Sequence, residues 1–340
     1  MNGLLRVFGV GLFCSLIITP LIRFMARRWG IMDRPNRRKI HLRPVPLLGG
    51  VAVFCSFVIS LLFVGGLNLQ AKGLIAGASL ILVVGVIDDI KKLKAAKRLF
   101  WQLIACLILI KSGVVFTFLP QNFMGLLGEW LLTILWVIGI TNALNFLDGL
   151  DGLACGLSVI AASFFLIICL ATGQVVASLV CAAFIGACLG FLPFNFRPAS
   201  IFLGDAGSTF LGFSLAAIAI MLNWAEDNVI AIAAPVLILG VPVFDVIFTT
   251  IMRVANGRVK NINQWLEFTG KDHFHHRLLD LDFKVTAVVL FIYCVSFALG
   301  LSALVLLRSG IREAILLLLQ ASIIFSLIAI LMLSAKTKGA

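Results

Sequence analysis

Two aspartates stand side by side at the end of an apolar run in V-G-V-I-D-D-I-K-K-L-K (Val84–Lys94), and Lys97 and Arg98 follow them. Adjacent carboxylates repel unless cations, hydrogen bonds or a metal offset them. Asp88 and Asp89 are therefore either a solvated helix end or part of a charge-balanced site. A second stretch, T-N-A-L-N-F-L-D-G-L-D-G-L (Thr141–Leu153), places Asn142, Asn145 and Asp148 at helical spacing, with Asp151 continuing the row. Oxygen donors in such a row suit a hard cation such as Mg2+ (or Mn2+), which keeps several waters and binds phosphates. A polar connector between helices is the plainer alternative; Gly149 and Gly152 would allow its turn.

Three further stretches carry candidate groups. In S-I-F-L-G-D-A-G-S (Ser200–Ser208), Asp205 lies among glycines whose backbone could form an anion-holding nest, and Phe202 is either core packing or a stacking platform for a base. In K-D-H-F-H-H-R (Lys271–Arg277), His273, His275, His276 and Arg277 crowd together without a nearby cysteine or an H-E-x-x-H pattern. Phosphate contacts suit that set better than zinc. Between Met32 and Gly50, Lys39, His41 and Arg43 could hold a lipid phosphate, although basic runs beside a span also serve orientation alone. Asp245, three residues after Pro242, is an acid inside an apolar stretch and marks a broken or functional helix.

The elements that position these groups must cross a bilayer. Of 340 residues, 61% are hydrophobic and only 12% charged, half the charge of a typical soluble domain. That excludes a disordered chain, a basic nucleic-acid-binding domain and an ordinary cytosolic enzyme. Apolar runs of spanning length lie near residues 3–22, 48–67, 72–87, 99–119, 127–147, 153–172, 175–194, 207–224, 229–251, 285–307 and 313–334. The expectation is an all-α polytopic membrane bundle, one integral domain over 1–340, with about eleven transmembrane helices (ten if two boundaries merge). The run Leu4–Leu21 reads as a retained first span, because Arg23, Arg27 and Arg28 follow it where a cleavage site would stand.

Placing the N-terminus outside puts 22 of the 27 basic residues on one face, which the positive-inside rule makes cytosolic, together with the C-terminus. The candidate loops 23–47, 88–98, 145–152, 195–208 and 252–284 all fall there. All four histidines and most acids share that face, so something on it needs both signs at once. The net charge of +12 then reflects sorting across a membrane rather than nucleic-acid binding. The eight cysteines show no C-x-x-C pair and read as small apolar packing residues.

With these motifs the chain resembles the polyprenyl-phosphate N-acetylhexosamine-1-phosphate transferases of glycosyltransferase family 4, in the branch using N-acetylglucosamine. The matching segments are Asp33–His41 with Pro46–Gly50, Gly85–Ile90, Asn142–Leu153, Phe202–Ser208 and His273–Arg277, in the family's order. The resemblance implies a multi-pass enzyme of the bacterial inner (plasma) membrane. It would move a sugar-1-phosphate from a UDP-N-acetylhexosamine to undecaprenyl phosphate, releasing UMP and starting a cell-envelope polysaccharide such as O-antigen or teichoic acid. Asn145 and Asp205 would lie nearest the Mg2+, and Asp151 and Phe202 at the uracil. Asp88 and Asp89 would stand beside the phosphates and Asp148 would be a further catalytic acid, with His273, His275, His276 and Arg277 closing over the diphosphate and sugar. Arg98 stands where the family usually has lysine, and its planar fork is not a point charge.

A lipid phosphate with a second pKa of about 6 is mostly dianionic at neutral pH, so it hardly needs a general base. The expected mechanism is direct attack on the β-phosphate, with Asp88 positioning rather than deprotonating. The H-x-H-H-R form favours N-acetylglucosamine over the phospho-muramoyl-pentapeptide branch, which usually has three consecutive histidines. The rival from another class is a secondary transporter of phosphorylated metabolites, whose binding groups would lie near the bilayer midplane in paired repeats. No internal repeat is visible, and only Asp245 is deep. No nucleic-acid partner is expected, and a homodimer is compatible with the sequence.

Overall fold

A computed structural model describes residues 2–35, 43–224, 228–259, 264, 270 and 272–334. The fold is nearly all helical, in two compact units, Met1–Asn223 and Trp224–Ala340.

The first unit contains α1 (Asn2–Trp29), α2 (Gly49–Val64), α3 (Leu69–Lys91), α4 (Ala95–Lys111), α5 (Phe123–Leu147), α6 (Leu153–Ala171), α7 (Val175–Asn195) and α8 (Gly204–Met221). Two short strands, β1 (Met32–Asp33) and β2 (Val45–Pro46), pair antiparallel between α1 and α2, a small departure from the expected all-α architecture. α1 shows how these helices are read by lipid and protein together. Val7, Gly11, Ser15, Thr19 and Ala26 face inward, whereas Phe13, Ile17, Leu21 and Phe24 form an exposed apolar row. An exposed row of that size in water would be an association site; facing acyl chains it needs no partner.

Without a hydrophobic driving force inside lipid, such helices pack through small residues that let backbones approach. α8 is buried on nearly every side and is the central helix of the unit. Three helices reach it through glycines. A Cβ on Gly50 of α2 would overlap Gly207 of α8, one on Gly85 of α3 would overlap Ala206, and one on Gly212 would press on the backbone of Thr141 in α5. The glycines of P-L-L-G-G, G-V-I-D-D-I and G-D-A-G-S thus bring three separate motifs to one helix end.

The second unit contains α9 (Asn228–Ile238), α10 (Gly240–Ala255), α11 (Phe274–Leu279), α12 (Val285–Val305), a 3-10 turn at Leu306–Arg308 and α13 (Ile311–Ser334). α9 and α10 meet at an 81° bend. The cause is Pro242, which has no N–H to offer the carbonyl of Ile238, four residues back and the last of α9. The helical path restarts with Val243 N–H donating to the Leu239 carbonyl at 3.1 Å. The break suspected from Pro242 and Asp245 is present.

Among the described residues, eight helices are long and apolar enough to cross a membrane, or nine if the bent pair counts as one span. α2, at 16 residues, and α4, at 17, are shorter.

Candidate active site

The first unit gathers Asp89, Asp148, Asp151 and Asp205 around the N-terminus of α8. Gly204 opens that helix at φ +73°, and the Asp89 carboxylate sits over it. Asp89 Oδ1 accepts from Asp205 N–H at 2.8 Å and Oδ2 from Ala206 N–H at 3.3 Å. A carboxylate from α3 therefore caps α8, satisfying two of the orphan donors that every helix start carries. A side chain at position 204 would collide with Asp89 Oδ2. The spacing G-D, which alone reads as a turn, is a consequence of this junction.

Asp205 is held beside that cap. Its Oδ1 accepts from Asn145 Nδ2 at 2.9 Å, and the same amide donates to Ser208 Oγ at 2.8 Å. Lys92 Nζ lies 3.8 Å from Asp205 Oδ2, an exposed and weak pairing. Asp148 follows the last turn of α5, outside the membrane-spanning segment. Burial, then the charges of Asp205, Asp89 and Asp151, push its carboxyl up to about 8. Four carboxylates close enough to repel one another are a reason for a cation to bind. Asn145 spends its nitrogen on Asp205 and Ser208, which leaves its amide oxygen, beside the Asp205 carboxylate, as the oxygen donors that could hold Mg2+. Among the described residues no group of three or more acids, histidines or cysteines is placed to hold a metal ion.

Asp88 differs from its neighbour. Although buried, it has both oxygens engaged, Oδ1 by Leu93 N–H and Oδ2 by Arg98 Nη1 at 3.1 Å. It closes the α3–α4 turn and aims Arg98. Asp151 Oδ2 accepts from Ala199 N–H at 3.1 Å and so ties the 148–152 turn to the loop before Phe202. Phe202 is half-buried, and its N–H donates to the Pro46 carbonyl at 2.9 Å, which stitches β2 to the start of α8.

Asn142 stands in the row that the spacing suggests, but it meets another helix. Its Nδ2 donates to Gln102 Oε1 of α4 at 2.8 Å and to the Ile138 carbonyl, and Gln102 Nε2 reaches Asn142 Oδ1 at 3.4 Å. Gln102 is a site-supporting residue that sequence reasoning missed; its only signal is one amide within an apolar helix. Replacing Gln102 with alanine leaves the half-buried Asn142 amide with only its bond to the Ile138 carbonyl, a loss of about 1 kcal/mol. The expected result is a lower thermal midpoint in detergent, with kcat reduced less than tenfold.

The histidine segment lies in the second unit. Asp272, His273, His275 and Arg277 are buried, and His276 is half-buried. Burial would raise the Asp272 carboxyl, but the hydrogen bonds and charge of Arg253 outweigh it and hold the group below its ordinary value. Burial, with His276 and His273 beside it, pulls His275 well below the usual imidazole range. Neither ring nitrogen of His275 has a hydrogen-bond partner among the described residues. Arg277 Nε donates to the Asp272 carbonyl at 2.9 Å, and its guanidinium lies 5.1 Å from the centre of the Phe248 ring. Arg43 is exposed just before β2. Lys39, His41, Lys271 and most of the 254–272 loop lie outside the described residues.

A family model described as glycosyl transferase family 4 matches residues 71–223. Over 346 aligned residues the chain is 36% identical to a protein of Bacillus subtilis (strain 168), covering 100% of this chain and 93% of the relative. That relative is described as a probable undecaprenyl-phosphate N-acetylglucosaminyl 1-phosphate transferase. A decaprenyl-phosphate N-acetylglucosaminephosphotransferase of Mycobacterium tuberculosis (strain CDC 1551 / Oshkosh) is 33% identical, over 84% of this chain and 78% of its own length. A phospho-N-acetylmuramoyl-pentapeptide-transferase of Limosilactobacillus fermentum is 35% identical, but over only 64% of this chain.

Proposed function

Since the chain belongs to glycosyl transferase family 4, we propose that the acids around α8 and the histidine segment serve one phosphoryl-transfer reaction. The enzyme transfers N-acetylglucosamine-1-phosphate from the UDP-sugar to undecaprenyl phosphate. The phosphate oxygen of the lipid bonds to the β-phosphorus, the bond to the α-phosphate breaks, and UMP leaves. The observation that carries this reading is full-length similarity to a transferase of that specificity, in a chain whose Pro46–Gly50, Gly85–Ile90 and Phe202–Ser208 motifs meet at the α8 start. The muramoyl-pentapeptide alternative is weaker, because similarity to relatives of that branch covers 64–66% of the chain, against 100% for the N-acetylglucosaminyl relative.

Phosphoryl transfer asks a protein for positioning and charge neutralisation more than for covalent chemistry. Asp205 and the amide oxygen of Asn145 would hold Mg2+ (or Mn2+), which when bound would offset the diphosphate and departing UMP charge, with Asp148 as a further acid beside them. Asp89 fixes Asp205 by capping its helix. Asp88 orients Arg98 toward the phosphates, and the bond that each of its oxygens already accepts favours positioning over deprotonation. Asp151 and Phe202 frame the uracil, while His276 and Arg277 meet the diphosphate and sugar. Lys39, His41 and Arg43 are assigned to the lipid phosphate.

The protein is a multi-pass membrane protein. We place it in the bacterial inner membrane with the site on the cytosolic face, N-terminus outside and C-terminus inside, because the basic residues sort that way. Counting α2, α4 and the bent α9–α10 pair beside the eight long helices makes eleven spans. The lipid-diphosphate sugar would initiate a cell-envelope polysaccharide, and a homodimer is compatible with this arrangement.

The direct test is UMP release from UDP-N-acetylglucosamine and undecaprenyl phosphate by detergent-purified enzyme, with and without EDTA. Release that needs Mg2+ supports the reading; substrate uptake into vesicles without UMP would replace it by transport. Asp88→Asn separates the two roles of that residue. Loss of activity of similar size at pH 6 and pH 8.5 is expected for positioning, whereas recovery at pH 8.5 would mark a general base.

A further inference from the structure

The acid inside the apolar stretch, Asp245, has no part in the chemistry described so far. It is fully buried in the first turns of α10, directly after the bend. Its Oδ1 accepts from Phe274 N–H, at the start of α11, and its Oδ2 lies 2.7 Å from His273 Nδ1. On the other edge of the same ring, His273 Nε2 lies 3.2 Å from Arg253 Nη2. A guanidinium has only donors, so Nε2 must accept and carry no proton. The proton then sits on Nδ1, where it is donated to Asp245.

Arg253 completes the frame. Two helical turns beyond Asp245 on the same face of α10, it grips Asp272 with two parallel bonds, Nε to Oδ2 and Nη2 to Oδ1, both 2.8 Å. The rings behind add a second restraint. Phe274 stands edge-on to Phe244 at 5.6 Å, and Phe244 stacks on Phe325 of α13 at 4.3 Å. The segment that begins α11 is therefore clamped at Asp272, His273 and Phe274 by residues of α10, each through its own contact.

The geometry points to Asp245 as the positioning residue of the histidine segment, with Arg253 as its partner and His273 as a fixed spacer rather than a proton-transfer group. Both ring nitrogens of His273 are consumed inside the protein. What the clamp delivers is the orientation of the next turn, where His276 is partly exposed and Arg277 leans on Phe248. This deepens the reading that the segment meets the phosphates of the nucleotide sugar, and it rests on that reading.

A substitution series on the full-length enzyme tests it. Asparagine places an amide N–H where the Nδ1–H of histidine stands, so His273→Asn can keep the bond to Asp245 while having no imidazole. The expected result is that His273→Asn retains at least about a tenth of wild-type kcat, while His273→Ala and Asp245→Ala each lose about a hundredfold in kcat/KM. The double variant should lose no more than either single one, because one clamp is being removed twice. Loss of a true acid–base group costs about 100- to 10,000-fold. A His273→Asn enzyme as inactive as His273→Ala, with an unchanged thermal midpoint, would overturn the proposal, and so would losses that multiply. Ring 15N shifts of His273 in labelled protein report the tautomer without any turnover. An Nδ1–H ring supports the clamp and an Nε2–H ring overturns it, even if the wild-type enzyme released no UMP and the functional reading itself had failed.

Discussion

Gly204→Ala is expected to cut UMP release more than a hundredfold while the protein still folds. Two effects combine at this position. At φ +73° any side chain carries strain, worth about 1–3 kcal/mol. The added methyl would also displace Asp89 Oδ2, and with it the cap on Asp205 N–H and Ala206 N–H. Strain alone does not reach the chemistry, but a shifted cap moves the backbone that carries Asp205. Gly173→Ala is the matched control, since Gly173 has φ +72° and open space around its Cα. Both variants should lower the thermal midpoint by a few degrees, and only Gly204→Ala should lose kcat. Equal activity in the two variants would show that the Asp89–α8 junction is dispensable.

That junction also shows what was and was not legible in the sequence. The acids, the glycines and the histidine cluster stood out because charged groups are so scarce in this chain that each one asks for a reason. Their partners were less visible. Asp88 and Asp89 are neighbours in sequence, yet one closes its own helix and the other caps a helix more than a hundred residues away. A pair of adjacent letters cannot show that split, because successive residues on a helix point about 100° apart. Asn142 and Asn145 share a helical row, but α4 takes the first through Gln102 and α8 takes the second through Asp205 and Ser208. A row gives a face and not what the face meets.

The helices were legible as apolar runs, and their ends less so. Pro242 made the α9–α10 break readable, because a missing N–H has a known address four residues back. The short strand pair at Met32–Asp33 and Val45–Pro46 was not, since two-residue strands have no periodicity to detect. The same physics recurs at both candidate-site helix starts. Asp89 caps α8, which carries Asp205, and Asp245 holds the first N–H of α11, which carries His276 and Arg277. In each unit a carboxylate borrowed from another helix fixes the element that bears the candidate site side chains.

Asp148 should make the stability of the metal-free protein fall as pH rises. Its carboxyl lies at about 8 in the folded chain, against an ordinary value of 3.8. Between those values the folded state holds a proton that the unfolded state has released. Stability therefore declines with pH across that window, is greatest at its acid end, and is fully lost from this source once pH passes about 8. A thermal midpoint measured in EDTA should drop by several degrees between pH 5.5 and pH 8.5, and Asp148→Asn should flatten the slope. A divalent cation competes with that same proton, because it can take the place of the charge that Asp205, Asp89 and Asp151 make unfavourable. Added Mg2+ should accordingly raise the midpoint more at pH 8.5 than at pH 6.5 in the wild type, and by the same amount at both in Asp148→Asn. Equal Mg2+ shifts at both pH values in the wild type would place the cation away from Asp148. A wild-type midpoint that is flat in EDTA would mean that the carboxyl is already ionised, with Lys92 or another cation supplying the charge assigned here to the metal.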